Sequence, residues 1–152
     1  MGGPESDREG CCLADSLRFF YRYRSRRGRV YLANAFSLSM IPLGANEAAE
    51  ICVRRINEFD LTAQVEMALE EGRLDCAVGH ESTVRILWGL TGVGPKALNC
   101  QRKMIQLRPG DTLLVVQLSF RPPEGKVYTY EELKQLMEQG RIAFYAAHYG
   151  PC

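Results

Sequence analysis

Residues 112–119, Thr-Leu-Leu-Val-Val-Gln-Leu-Ser, have no polar side of their own. Successive side chains of a strand point to opposite faces, so a nearly continuous apolar run needs cover on both. The run is therefore expected to be a central strand of a sheet. Arg108-Pro109-Gly110-Asp111 just before it is a β-turn signature with proline at the second position. Ahead of that turn, Met104-Ile105-Gln106-Leu107 is a second β pattern, and the two are expected to pair as a hairpin.

The rest of the chain supplies elements to surround such a strand. Val30-Tyr31-Leu32-Ala33 reads as a short buried strand with Asn34-Ala35-Phe36-Ser37 as its polar exit. Residues 38–46 read as loop, with Pro42 and Gly44 as breakers, and residues 49–56 as a strand. Asp60 is expected to cap a helix whose apolar stripe is Leu61, Val65, Ala68 and Leu69, ending at Gly72. An apolar segment then stops at Gly79, and Glu81-Ser82-Thr83 opens a helix that carries Val84, Leu87 and Trp88 to Gly92. Gly92-Val93-Gly94-Pro95 is loop, and residues 120–126 form a stiff, charged one. Thr129 with Glu132 has capping-box spacing ahead of Leu133, Leu136 and Met137, and Gly140 ends that helix. Residues 142–147 close the chain as a strand. The order is strand, strand, helix, helix, strand, strand, helix, strand. It predicts a single compact α/β (α+β) domain, a mixed sheet of about five strands flanked by helices.

The chain has 152 residues, 46% hydrophobic and 24% charged, enough for one domain with a sizeable core. A net charge of +1 argues against general binding to long nucleic acids or membranes. Residues 18–29 hold six arginines and no acid, so everything outside them sums to −5. That arm could contact nucleic acid through arginine and interleaved aromatics. The favoured readings are plainer: a solvated arm, or an upstream stretch added by a wrongly chosen start codon. Residues 1–28 are accordingly expected to be a flexible N-terminal extension, and 29–150 the folded domain. The six cysteines show no C-x-x-C spacing, and with only His80 and His148 a histidine-rich metal site is excluded. Cys52, Cys76 and Cys100 read as small buried hydrophobes of a reduced, cytoplasmic protein. No run is long enough to span a bilayer, and the N-terminus lacks the apolar core of a secretory signal.

The chemistry centres on Gly79-His80-Glu81-Ser82-Thr83. The first amides of a helix lack intrahelical partners, and the helix dipole is positive there, so the site favours anions. An imidazole beside it sets a proton donor next to a phosphate. The plainer reading makes His80 a turn residue and Ser82 a simple cap. His148 reads as a surface residue. No carboxylate pair with metal-ligand spacing and no G-x-S-x-G is present. Arginine, histidine, serine, threonine, asparagine and glutamine suit recognition of phosphates and bases. They also suit a metal-free cut of RNA, in which a ribose 2′-hydroxyl attacks the adjacent phosphorus while a histidine protonates the departing 5′-oxygen.

Three stretches together resemble a known family. Val30-Tyr31-Leu32-Ala33-Asn34-Ala35-Phe36-Ser37-Leu38, then Val78-Gly79-His80-Glu81-Ser82-Thr83, then Val115-Val116-Gln117-Leu118-Ser119 with Arg121-Pro122-Pro123-Glu124-Gly125-Lys126, look like the viral type III anti-CRISPR ring nucleases and their cellular relatives. The resemblance implies a homodimer that binds cyclic tetra-adenylate across its two-fold axis. It implies cleavage, without metal or cofactor, to linear di-adenylates with 2′,3′-cyclic phosphate ends, which would switch off type III CRISPR signalling. Carried over by motif, His80 would be the general acid, Arg102 would hold the scissile phosphate, and Glu124 would assist or orient the proton transfer. Asn34, Ser37, Ser82, Thr83 and Gln117 would line the pocket, and Arg121 would reach over the ring. Ser39 departs from the asparagine common in that family. A non-catalytic binder with the same pocket, a sponge or sensor, is the alternative, and a small structural dimer is a third.

Overall fold

A computed structural model of the chain describes residues 28–152. The expected N-terminal extension, with its arginine-rich arm, lies outside the described residues apart from Gly28 and Arg29. Five strands form one mixed sheet: β1 (Val30–Ala33), β2 (Ile51–Ile56), β3 (Leu74–Cys76), β4 (Thr112–Leu118) and β5 (Ile142–Tyr149). The helices are α1 (Glu58–Glu70), α2 (Glu81–Thr91), the short α3 (Pro95–Leu98) and α4 (Tyr130–Glu138). The strand order is β2-β5-β4-β1-β3. β1 is parallel to both β3 and β4, whereas β5 is antiparallel to β4 and β2.

β4 is central, as its apolar run requires. Leu114 and Val116 face α1, α2 and α4 in one core with Leu32, Leu61, Val65, Ile86, Leu87, Leu133 and Phe144. Leu113 and Val115 face the other way into a second cluster with Ala33, Ile105, Leu107 and Ala147. Among the described residues no α-helix covers that second face; the 38–40 3-10 turn and the 104–107 segment do, with Leu107 N donating to Met40 O at 2.7 Å.

This arrangement corrects the expected hairpin. The 104–107 segment is not a strand, because β1 and β5 already occupy both edges of β4. Its alternation is nevertheless used: Ile105 and Leu107 are buried, Met104 and Gln106 exposed. The turn forms, with Asp111 N donating to Arg108 O. The buried Asp111 carboxylate accepts from the amides of Arg108 and Arg29, each at 2.9 Å, and so ties the turn to the start of β1.

Asn57, not Asp60, caps α1, its side chain accepting from Asp60 N at 2.9 Å. Thr129 and Glu132 form the expected capping box on α4. His80 occupies the N-cap position of α2, so Ser82 lies inside the first turn and is not the cap. Gly92 ends α2 at φ 74°, a conformation that glycine adopts without penalty.

The cysteines and the second histidine differ from expectation. Cys52 bonds Cys152, and Cys76 bonds Cys100. Both pairs join residues distant in sequence, which no local spacing reveals. His148 is buried, its Nδ1 3.0 Å from Thr112 Oγ1 across the β4–β5 pair, so it is not a surface residue. Among the described residues, no helix is long and apolar enough to cross a membrane.

Candidate functional site

β3, β1 and β4 are neighbours and run in the same direction, so their C-terminal ends share one edge of the sheet. In open sheets with parallel strands, ligands collect outside that edge. Asn34 follows β1 directly, His80 stands four residues beyond β3, and the 119–126 loop leaves β4. The stretches noted in sequence thus converge for a topological reason.

Asn34, His80, Ser82, Thr83, Arg121 and Glu124 line one cavity of about 370 Å³, with Leu118, Phe120 and Pro122 as its apolar wall. Thr83 is buried, Ser82 half-buried, and His80, Arg121 and Glu124 are exposed. The start of α2 faces this space. The carbonyl of His80 accepts from Val84 N at 3.0 Å, which opens the helix. The His80 side chain makes no cap hydrogen bond and is left to the cavity. Glu81 pairs with Arg85 one turn on at 2.8 Å, which offsets its negative charge at the helix start.

A second cavity of about 420 Å³ adjoins the first through Asn34 and His80. Its other polar walls are Arg102 and Lys103, and Ala33, Ala35, Met40, Ala77, Gly79 and Ile105 complete it. Arg102 reaches the site because Gly79 lets the two segments touch. A Cβ added at Gly79 would lie 2.7 Å from the Arg102 Cβ. Lys103 is held at the rim by Asp75, 3.1 Å away, and Asp75 also accepts from Arg29 Nε at 2.6 Å. Burial pushes the Asp75 carboxyl up, but Arg29 and Lys103 outweigh it and hold the group below its ordinary value.

Seven of the nine residues singled out in sequence therefore line the paired cavities: Asn34, His80, Ser82, Thr83, Arg102, Arg121 and Glu124. Ser37 and Gln117 line neither. Ser37 caps the 38–40 turn and its Oγ lies 2.9 Å from Ser39 Oγ. Gln117 is exposed at the end of β4, on the face of Leu113 and Val115. Three contributors were not legible as such. Gly79 looked like a plain breaker, and its close approach to Arg102 depends on a contact across 23 residues. Phe120 and Pro122 looked like loop residues, and only the cavity shows their apolar side in use. Among the described residues, no three His, Cys, Asp or Glu side chains gather to hold a metal ion.

A family model described as STIV B116-like matches residues 30–145. The ORF116 protein of Acidianus filamentous virus 1 is 30% identical over 117 residues, covering 77% of this chain and 92% of its own length. Protein 26 of a Sulfolobus islandicus filamentous virus is 42% identical over 69 residues, covering 45% of this chain and 56% of its own. Among solved structures, B116 of Sulfolobus turreted icosahedral virus superposes with a TM-score of 0.73 at 34% identity, over 80% of this chain and all of that one. The expected membership of the anti-CRISPR ring nuclease family is corrected by these matches: the family model, the viral relatives and the solved structure all point to the B116-like proteins.

Proposed function

The chain belongs to the STIV B116-like family, and from that premise we propose that its paired cavities bind cyclic tetra-adenylate and cut it. The observation that carries this reading is the gathering of His80, Arg121, Glu124, Ser82, Thr83 and Asn34 around one cavity at a helix N-terminus, with Arg102 in the adjoining one. The open amides at the start of α2 and the two guanidinium groups attract phosphodiesters, and arginine binds them in a planar, two-pronged geometry. Asn34, Ser82 and Thr83 offer hydrogen bonds to bases and sugars.

Beyond these groups the chemistry draws only on solvent water. A ribose 2′-hydroxyl attacks its own 3′-phosphorus in line and passes its proton to water as it does so. Arg102 offsets the charge growing on the phosphoryl oxygens. His80 delivers a proton to the departing 5′-oxygen, and Glu124 orients that transfer. Two such cuts release linear di-adenylates with 2′,3′-cyclic phosphate ends, which lowers the level of the ring in type III CRISPR signalling. We place this activity in the cytoplasm, where that signal acts.

A ring with two-fold symmetry is best met by two copies of one site. Support for a homodimer comes from the second face of the sheet, where Leu38 is 78% and Met104 86% exposed beside the cavities. Ser37 and Gln117, outside either cavity, stand on that same side and are placed to meet a partner copy or its half of the ring.

The test is incubation of the protein with cyclic tetra-adenylate in excess EDTA, followed by chromatography, with His80→Ala in parallel. Linear di-adenylate from the wild type and a loss of about a hundredfold or more in the variant are expected. Equal cleavage by both would remove His80 from the chemistry. No cleavage, with a ligand-induced rise in melting temperature, would leave a binder.

A further inference from the structure

The two segments that carry His80 and Arg102 are joined covalently. β3 ends at Cys76, three residues short of Gly79-His80. Cys100, bonded to Cys76, precedes Gln101-Arg102-Lys103. The Cα atoms of the two cysteines are 4.6 Å apart. Beside the disulfide, Gln101 N donates to Cys76 O at 3.1 Å, and Gly79 lies against the Arg102 side chain. The loop enclosed by the bond contains α2 and α3, so it starts with one functional side chain and closes just before the other.

We propose that the Cys76–Cys100 disulfide is a positioning clamp that sets His80 against Arg102 and makes the site respond to redox state. The proposal rests on the reading of this site as a ring nuclease. Oxidised, the bond holds the Arg102 segment against the end of β3, where the His80 segment leaves the sheet. Reduced, the Arg102 segment keeps one backbone hydrogen bond, the Gly79 contact and the solvent-screened Lys103–Asp75 ion pair, and the lining of the second cavity loosens. Only part of the site depends on the bond. Ser82, Thr83 and the start of α2 are held independently by the packing of Val84, Ile86 and Leu87 into the core. Reduction should therefore slow the chemical step more than it weakens the hold on the ring.

The redox step is an exchange with a dithiol. A thiolate of the reductant bonds to the Cys100 sulfur and expels Cys76 as thiolate. Cys100 is the point of attack because it is half-buried, whereas Cys76 is 1% exposed. The second thiol of the reductant then closes its own disulfide and releases Cys100. Two electrons pass from the reductant to the protein, and the two cysteine sulfurs take up protons. Cys52–Cys152 provides an internal control, since β2 and β3 are opposite edges of the sheet.

The experiment uses the full chain as oxidised protein, as protein reduced with dithiothreitol, as protein re-oxidised afterwards, and as the variants Cys100→Ser and Cys152→Ser. Three readouts are followed: single-turnover cleavage of cyclic tetra-adenylate, its equilibrium binding, and deuterium uptake in peptides covering 77–83 and 101–104. Reduction and Cys100→Ser are expected to slow cleavage about tenfold or more, to change affinity less, and to speed exchange in both peptides. Re-oxidation should restore the wild type, and Cys152→Ser should match oxidised protein. Unchanged cleavage or unchanged exchange once the Cys76–Cys100 bond is gone would overturn the clamp, and reduction of the wild type decides this even if Cys100→Ser does not fold. If oxidised protein leaves the ring intact, the ring-nuclease reading fails and regulation of that activity fails with it. The exchange data would then still uphold or overturn the ordering of the two segments.

Discussion

At the scale of single residues, the site depends on contacts too close or too polar to tolerate small changes. Gly79 has no side chain because Arg102 occupies the space where one would go. Gly79→Ala must push the two segments apart by some tenths of an ångström or more, since the meeting atoms are the stiff Cβ and Cα of Arg102 rather than its tip. We expect cleavage of cyclic tetra-adenylate to fall about tenfold or more while the melting temperature moves little. Asp75 provides a second case. Its carboxyl is held below its ordinary value of 3.8, so its contribution to stability is fully present above that pH and is lost as pH falls below it. Asp75→Asn should lower the melting temperature at neutral pH, and the gap to wild type should close in acid. The effect belongs below about 1 kcal/mol, because Arg29 and Asp75 are 47% and 26% exposed and water screens the pair. A gap that persists unchanged at low pH would show that charge is not what Asp75 supplies.

At the scale of elements, the sequence was most legible where the pattern and its cause were local. Thr129 and Glu132 announced α4 because a capping box is a contact between neighbours in sequence. Thr129→Ala should cost about 1 kcal/mol, seen as a lower midpoint in denaturant with an unchanged slope. Residues 104–107 depart from their pattern for the opposite reason. Their alternation is that of a strand, but whether a strand forms depends on a free edge, and β4 had none. β3 was seen only as an apolar run, since three residues are too few to show a period. His80 was placed correctly at a helix start, yet its occupation of the N-cap itself depends on how β3 feeds α2.

At the scale of the whole molecule, the fold class was legible because one apolar strand had to be buried on both faces and the remaining elements sufficed to do it. The gathering of Asn34, His80 and Arg121 followed from the shared direction of β1, β3 and β4, a property of topology that periodicity does not contain. The two disulfides among the described residues were invisible for the same reason. Cys52–Cys152 spans 100 residues, and closing a loop of that length removes unfolded-state entropy worth on the order of 4–5 kcal/mol in the chain-entropy account. Cys152→Ser should therefore lower the denaturant midpoint by the equivalent of about 2–5 kcal/mol, although the residue lies at the end of the chain and away from either cavity.

That same bond turns most of the folded domain into a closed covalent ring. A protease that cuts once in the exposed 119–126 loop would open the ring without freeing a piece. On a gel the nicked protein would run as one band until a reductant was added, and then as two. Broken in that loop, the molecule would still be a single object in solution.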